Sequence, residues 1–139
     1  MRFQSPLSRY SGKGGSFFSA RKNAQTGLLG ENSAAEFLRQ KGFEILEQNY
    51  TISAGEIDIV AKDGPSVVFV EVKTLTQSKY YNPEDQVNRS KRRRIEIAAE
   101  NWMQKHPEII TGRFDVISIL MQKGDVQIEH FEDAWNEGE

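Results

Sequence analysis

The sequence predicts an α/β fold, a mixed five-stranded sheet flanked by helices, in the order helix, three strands, helix, two strands. Three observations carry that prediction. Gly55 to Lys73 reads as two strands rich in Ile, Val and Phe, joined by the turn residues Asp63-Gly64-Pro65-Ser66. Residues 27–41 and 88–105 carry apolar side chains at helical spacing. The roughly 40-residue crossover through the second helix places a strand at 113–120 parallel to the strand at 67–74, with a right-handed connection.

Taken in order, residues 1–26 are expected to be a flexible basic arm, with one domain over 27–139. The arm holds Arg2, Arg9, Lys13, Arg21 and Lys22 without an acid, and Ser11-Gly12-Lys13-Gly14-Gly15-Ser16 is linker composition. Gly12-Lys13-Gly14-Gly15 has the wrong spacing for a phosphate loop, and no strand precedes it. The first helix is predicted from Gly27 to Lys41, with Thr26 as N-cap and Gly42 at the C′ position. Leu28, Ala35 and Leu38 form its inward stripe. Glu31 lies on that stripe, where an acid needs either a partner or a rim position open to water. Strands follow at 43–52, 56–62 and 67–74, and then a polar loop, Gln77 to Pro83, with two tyrosines.

The second helix buries Val87, Ile95, Ala98, Ala99, Trp102 and Met103, with Pro107 just past its end. Its first turns carry Lys91, Arg92, Arg93 and Arg94, although cations are disfavoured near the positive end of a helix dipole. Such a conflict marks either a phosphate-binding helix end or a solvated face with Arg92 pairing Glu96. Lys91 has the phase of the inward side. Strands at 113–120 and 126–131, joined by Lys123-Gly124-Asp125, complete the sheet.

The central hairpin carries the chemistry. With Gly64-Pro65 at its tip, Asp58 lies opposite Glu71, and Lys73 shares their face, whereas Ile57 and Ile59 point the other way with Val68, Val70 and Val72. Opposed carboxylates repel. A hard divalent cation would offset that repulsion. The alternative is a solvated sheet face on which Lys73 neutralises one acid.

Composition bounds the rest. The net charge is −2, yet residues 1–30 and 89–94 together hold ten of the 18 Lys and Arg and no acid, so an acidic whole does not exclude nucleic acid. There is no cysteine, which excludes disulfides, zinc–thiolate sites and thiol nucleophiles and fits a cytoplasmic setting. No apolar run approaches the ~20 residues that span a membrane. His106 and His130 suggest no hydrolytic triad; His130 reads as an ordinary strand residue.

Asp58, Glu71-Val72-Lys73 and a preceding helical Glu31 resemble the PD-(D/E)xK nuclease superfamily, and Holliday junction resolvases within it. More narrowly, Gly30-Glu31, Ala35, Gly42, Asn49-Tyr50, Gly55-Glu56-Ile57-Asp58, Phe69-Val70-Glu71-Val72-Lys73, Val87, Lys91 and Arg113-Phe114-Asp115-Val116 are similar to the bacterial YraN-like family, assigned to that fold. The resemblance implies a restriction endonuclease-like core. It also implies a Mg²⁺- or Mn²⁺-dependent endonuclease acting on DNA, branched or single-stranded, in preference to RNA. Asp58, Glu71 and the Val72 carbonyl would hold the metal, Glu31 would bind through water or a second ion, and Lys73 would act on the attacking water or the developing charge. Lys91 would contact phosphate, with Arg92, Arg93 and Arg94 beside it. Related resolvases act as dimers, so a homodimer stays open by analogy. Two departures weaken phosphate binding: Thr51 and Thr74-Leu75 stand where the family carries basic residues. The competing functions are a nuclease-fold module that binds nucleic acid without cutting it, and a protein-interaction adaptor.

Overall fold

The computed structural model describes residues 8–11, 22–75 and 87–139. The predicted arm at 1–7 and 12–21, and the tyrosine loop at 77–83, lie outside the described residues. The elements are β1 (Ser8–Ser11), α1 (Lys22–Gln40), β2 (Glu44–Ile52), β3 (Gly55–Asp63), β4 (Ser66–Leu75), α2 (Arg89–Gln104), β5 (Thr111–Gln122) and β6 (Asp125–Trp135). The five predicted strands form in the predicted order. A sixth, short strand, β1, pairs with β6 from within the segment expected to be an arm. Sheet order is β1-β6-β5-β4-β3-β2. The β4–β5 pair is parallel, as the crossover requires, and the other pairs are antiparallel.

Each helix covers one face. Ala34, Ala35, Phe37 and Leu38 of α1 pack on Ile59, Ala61, Val68, Val70, Ile117 and Ile119. Ile95, Ala98, Ala99 and Trp102 of α2 pack on Val60, Val67, Phe69, Phe114 and Val116 from the other side. Period-two alternation along β4 and β5 delivers those two sets of side chains to opposite faces, and the result is a restriction endonuclease-like α/β core.

The termini of the helices follow local chemistry in three of four cases. Asn88 caps α2, its side chain accepting the Lys91 N–H at 2.9 Å. That helix ends at Gln104 with Lys105 as its C-cap, one residue from its predicted limit. Gly42 takes φ 97° after α1, and the Phe43 N–H donates to the Leu38 carbonyl at 3.0 Å, closing the turn. The start of α1 differs: the helix begins at Lys22 and runs through Thr26, so Thr26 is not its cap. Leu28 has the phase of the buried stripe but is 58 % exposed. It precedes Gly30, where α1 meets the end of β4, and packs in neither core cluster.

Two glycines set how closely the helices approach. A Cβ on Gly30 would lie 2.1 Å from Thr74 Oγ1, and one on Gly55 would lie 2.0 Å from the Arg94 carbonyl oxygen. At Gly55 the obstacle is helix backbone, which cannot rotate away. Gly55→Ala is therefore expected to destabilise the protein by about 1–3 kcal/mol or more, as overpacking does. Thermal unfolding reads this directly, and an unchanged melting temperature would mean that α2 does not sit this close.

Candidate active site

The hairpin register is the predicted one from Asp63↔Ser66 to Ile59↔Val70, and there the ladder stops. The Val72 N–H, which in that register faces Ile57, donates instead to Asp58 Oδ2 at 2.8 Å. The side chain of Asp58 has taken the place of a strand carbonyl, so β3 and β4 part at their ends. Ile57 corrects the predicted alternation: it packs on the α2 side with Val60, not with Ile59. The irregularity continues into β2. The β2–β3 pairs pass from Gln48↔Ile59 to Tyr50↔Ile57, leaving Asn49 and Asp58 facing each other unpaired in the ladder. Asn49 adopts φ 56°, a left-handed conformation that Asn tolerates better than most residues.

Four acids gather around this opening. Glu71, on the α2 face of β4, is 4 % exposed, and its Oε1 is buried with no hydrogen-bond partner among the described residues. Glu31 reaches in from α1, close enough to hydrogen-bond both Asn49 and Asp58. Glu56, two residues before Asp58 in sequence, lies on the α2 side, where it receives Arg94 at 2.7 Å and Lys91 at 3.3 Å. Lys91 also stands 3.8 Å from Glu71 Oε2, and Lys73 stands at the same distance from that oxygen.

Electrostatics follow from this crowding. Burial, and then the charge of Asp58, push the Glu71 carboxyl up to about 8. Burial also raises Asp58, against the pull of the Val72 N–H. Glu31 is raised by burial and by the charge of Asp58, with the Asn49 amide opposing. Glu56 goes the other way, lowered chiefly by its hydrogen bond from Arg94. Burial disfavours the Lys91 ammonium, but Glu71 and Glu56 outweigh that and raise its pKa. Burial first, and then mutual repulsion, thus drives Glu31, Asp58 and Glu71 toward neutrality, a cost that a cation among them would offset.

The donor set suits a hard one. Asp58 and Glu71 are brought together, and one buried carboxylate oxygen lacks a partner among the described residues. The N–H and C=O of one strand residue point to the same side, so the Val72 carbonyl faces the same opening as its N–H. No group of three or more His, Cys, Asp or Glu among the described residues surrounds a common metal position. Mg²⁺ does not need one: it keeps several waters and binds through one or two carboxylates together with substrate phosphate.

The predicted site residues thus divide. Glu31, Asp58, Glu71, Lys73 and Lys91 converge. Arg94 joins them only through Glu56. Arg92 and Arg93 do not: the Arg92 Nε donates to the Val87 carbonyl at 2.7 Å with its guanidinium over the Trp135 ring, and Arg93 pairs with Glu96 at 3.5 Å and Glu100 at 3.8 Å. The helix pairing expected between Arg92 and Glu96 is made by Arg93 instead. Glu56 and Asn49 join the site without having been expected there from the sequence. The signal for Glu56 is the repeated Gly-Glu dipeptide: each glycine lets a helix close on a strand, and each following glutamate lands at the opening.

A second polar cluster lies apart from this site. His130 is fully buried, not a plain strand residue; Asp115 Oδ2 lies 2.7 Å from its Nε2, and Lys41 Nζ lies 2.9 Å from its Nδ1. Arg113 Nε donates to Asp115 Oδ1, and the Asp133 N–H donates to the same oxygen. Burial opposes the Asp115 charge, but the bonds from His130 and Arg113 prevail and hold its carboxyl below the usual range. The cluster ties β5 to β6 and to the end of α1.

The fold and the opened acid-lined strand ends define a protein of the restriction endonuclease-like α/β class. Residues 30–119 match the uncharacterised protein family UPF0102, and the chain belongs to that family, the YraN family. It is 40 % identical over 119 residues to a UPF0102 protein of Syntrophus aciditrophicus, covering 85 % of this chain and 94 % of that one. It is 43 % identical over 114 residues to a UPF0102 protein of Geobacter metallireducens, covering 81 % and 93 %. A third relative, from Geotalea daltonii, is 43 % identical over 116 residues, covering 82 % and 91 %. No helix among the described residues is long and apolar enough to cross a membrane.

Proposed function

We propose that this protein is a Mg²⁺- or Mn²⁺-dependent nuclease that hydrolyses phosphodiester bonds of DNA. One observation carries the reading: Glu71 is buried beside Asp58 with an oxygen that no donor among the described residues satisfies. A protein that needed only structure from these strands would place apolar side chains there, because a buried acid with an unsatisfied oxygen costs free energy. Asp58, Glu71 and the Val72 carbonyl would hold the ion, with Glu31 behind Asp58. The metal, when bound, supplies polarisation of a phosphoryl oxygen and a lowered pKa for bound water. The chain supplies the rest. The Val72 N–H fixes the Asp58 carboxylate, and Lys73 brings an ammonium beside Glu71, where it can orient a water or meet charge developing on phosphate.

The test is a panel of labelled linear, nicked, single-stranded and four-way DNAs, with RNA alongside, incubated with Mg²⁺ or Mn²⁺. Cleavage that EDTA abolishes supports the reading. Absence of cleavage on every substrate with both metals overturns it in favour of a binding module.

Nucleic-acid binding by the first turns of α2 is a separate matter. Lys91, Arg92, Arg93 and Arg94 all have partners within the chain, so a phosphate must compete with one of them at each position. Neutralising the four together is expected to weaken duplex binding and to lower the log–log salt slope by roughly 0.9 for each phosphate they would have neutralised. An unchanged slope would assign the four residues wholly to intramolecular pairing.

A further inference from the structure

The opening already holds ammonium groups before any metal arrives. Asp58 and Glu71 face Lys73 and Lys91, both 3.8 Å from the same Glu71 oxygen. A divalent cation entering there meets two ammonium groups, and at least one must give way. The two lysines are not equivalent. Among the described residues Lys73 makes one ion pair, with Glu71. Lys91 has a second carboxylate, Glu56, at 3.3 Å, nearer than Glu71. Its backbone is pinned by the Asn88 cap, so the ammonium can swing on its stem without moving the helix. Glu56 is itself held by Arg94 at 2.7 Å, and the close approach at Gly55 fixes the distance between strand and helix.

Resting on the metal-site reading above, we propose that Lys91 is the resident counter-ion of the Asp58–Glu71 pair, in direct competition with a divalent cation, and that Glu56 is a positioning residue that accepts the Lys91 ammonium when the cation displaces it. Lys91 thereby sets how tightly the site holds metal, and an ion binds only when it outcompetes a tethered ammonium. Glu56 needs no contact with the ion to do this.

The test is calorimetric titration of the purified protein with Mn²⁺ alone, without DNA. Lys91→Met is expected to bind Mn²⁺ about tenfold more tightly than wild type, since a partly screened like charge has gone. Lys91→Gln is expected to act in the same direction, which guards against poor folding of one variant. Lys105→Met removes an equal charge from the far end of α2 and is expected to change little. Glu56→Gln is expected to weaken Mn²⁺ binding in the wild-type background but to have almost no effect beside Lys91→Met, the non-additivity that marks action through a shared partner. Equal affinity in wild type and Lys91→Met, or an equal effect of Glu56→Gln in both backgrounds, would overturn the proposal while leaving the metal site standing. Failure of wild type and Lys91→Met alike to bind Mn²⁺ would remove the metal site and the proposal together.

Discussion

Lys73→Met is expected to lower DNA cleavage by about 10²-fold or more while Mn²⁺ still binds, as when one electrostatic stabiliser is taken from a preorganised site. The substitution keeps most of the aliphatic stem and removes the ammonium. Lys73 is partly exposed and stands 3.8 Å from Glu71 Oε2, so it contributes charge beside the acid pair without holding the strands together. Metal affinity should hold or rise, because one of two like charges near the ion is gone. DNA affinity should change only by the worth of about one phosphate interaction, a factor read in the same salt titration that measures phosphate neutralisation. Single-turnover cleavage at saturating metal is the deciding measurement. Equal rates for wild type and variant would place the chemistry away from the hairpin.

The Asp58→Asn, Glu71→Gln double variant should flatten the protein's response to pH and abolish its response to metal. The sign follows from the direction of the shifts. The Glu71 pKa is raised to about 8 in the fold from its ordinary value of 4.5, and Asp58 is raised as well. Folding therefore favours their protonated forms. The stability tied to Glu71 is fully present below pH 4.5 and is lost as pH rises through about 8. Metal-free wild type should melt progressively lower from about pH 5 to about pH 9, and the double variant, lacking these titrations, should show a flatter curve and melt higher near pH 8. Mn²⁺ requires the ionised forms, so its affinity for wild type should increase over the same range, with proton release. At a hundredfold excess over Kd it should stabilise wild type by about 2.7 kcal/mol. The double variant should not respond. A pH profile equally steep in both proteins, or an equal metal response, would disconnect these acids from either effect.

Much of this is legible in the residues. Turn chemistry at Asp63 to Ser66 sets the hairpin register, because a two-residue connection leaves one pairing that keeps Ile, Val and Phe covered. The helix ends at Asn88 and Gly42 are legible because capping is a local exchange between a side chain or a left-handed residue and nearby backbone groups. The register up to Ile59↔Val70 is enough to bring Asp58 near Glu71 and Lys73, although Asp58 itself lies beyond the ladder. What alternation does not show is the parting of β3 and β4 at Asp58. That break depends on a side chain replacing a backbone acceptor and on Asn49 across the sheet, a meeting of residues on different strands. Period-two reasoning puts Ile57 on the wrong face for the same reason.

Charge is the least local property of all. Lys91, Arg92, Arg93 and Arg94 read as one basic run, yet tertiary packing divides them: Lys91 goes to Glu71 and Glu56, Arg92 to the Trp135 ring, Arg93 to Glu96 and Glu100, and Arg94 to Glu56. Adjacent helical positions point about 100° apart, so a run in sequence is not a patch in space. Local pattern in the chain was enough to specify the five main strands, their order and which acids would meet at the hairpin. Three outcomes had to wait for packing: a helix drawn onto Gly55, Glu56 holding two of the cations, and one oxygen of Glu71 buried without a partner among the described residues. Those outcomes depend on distances between elements far apart in the chain, which no local pattern encodes.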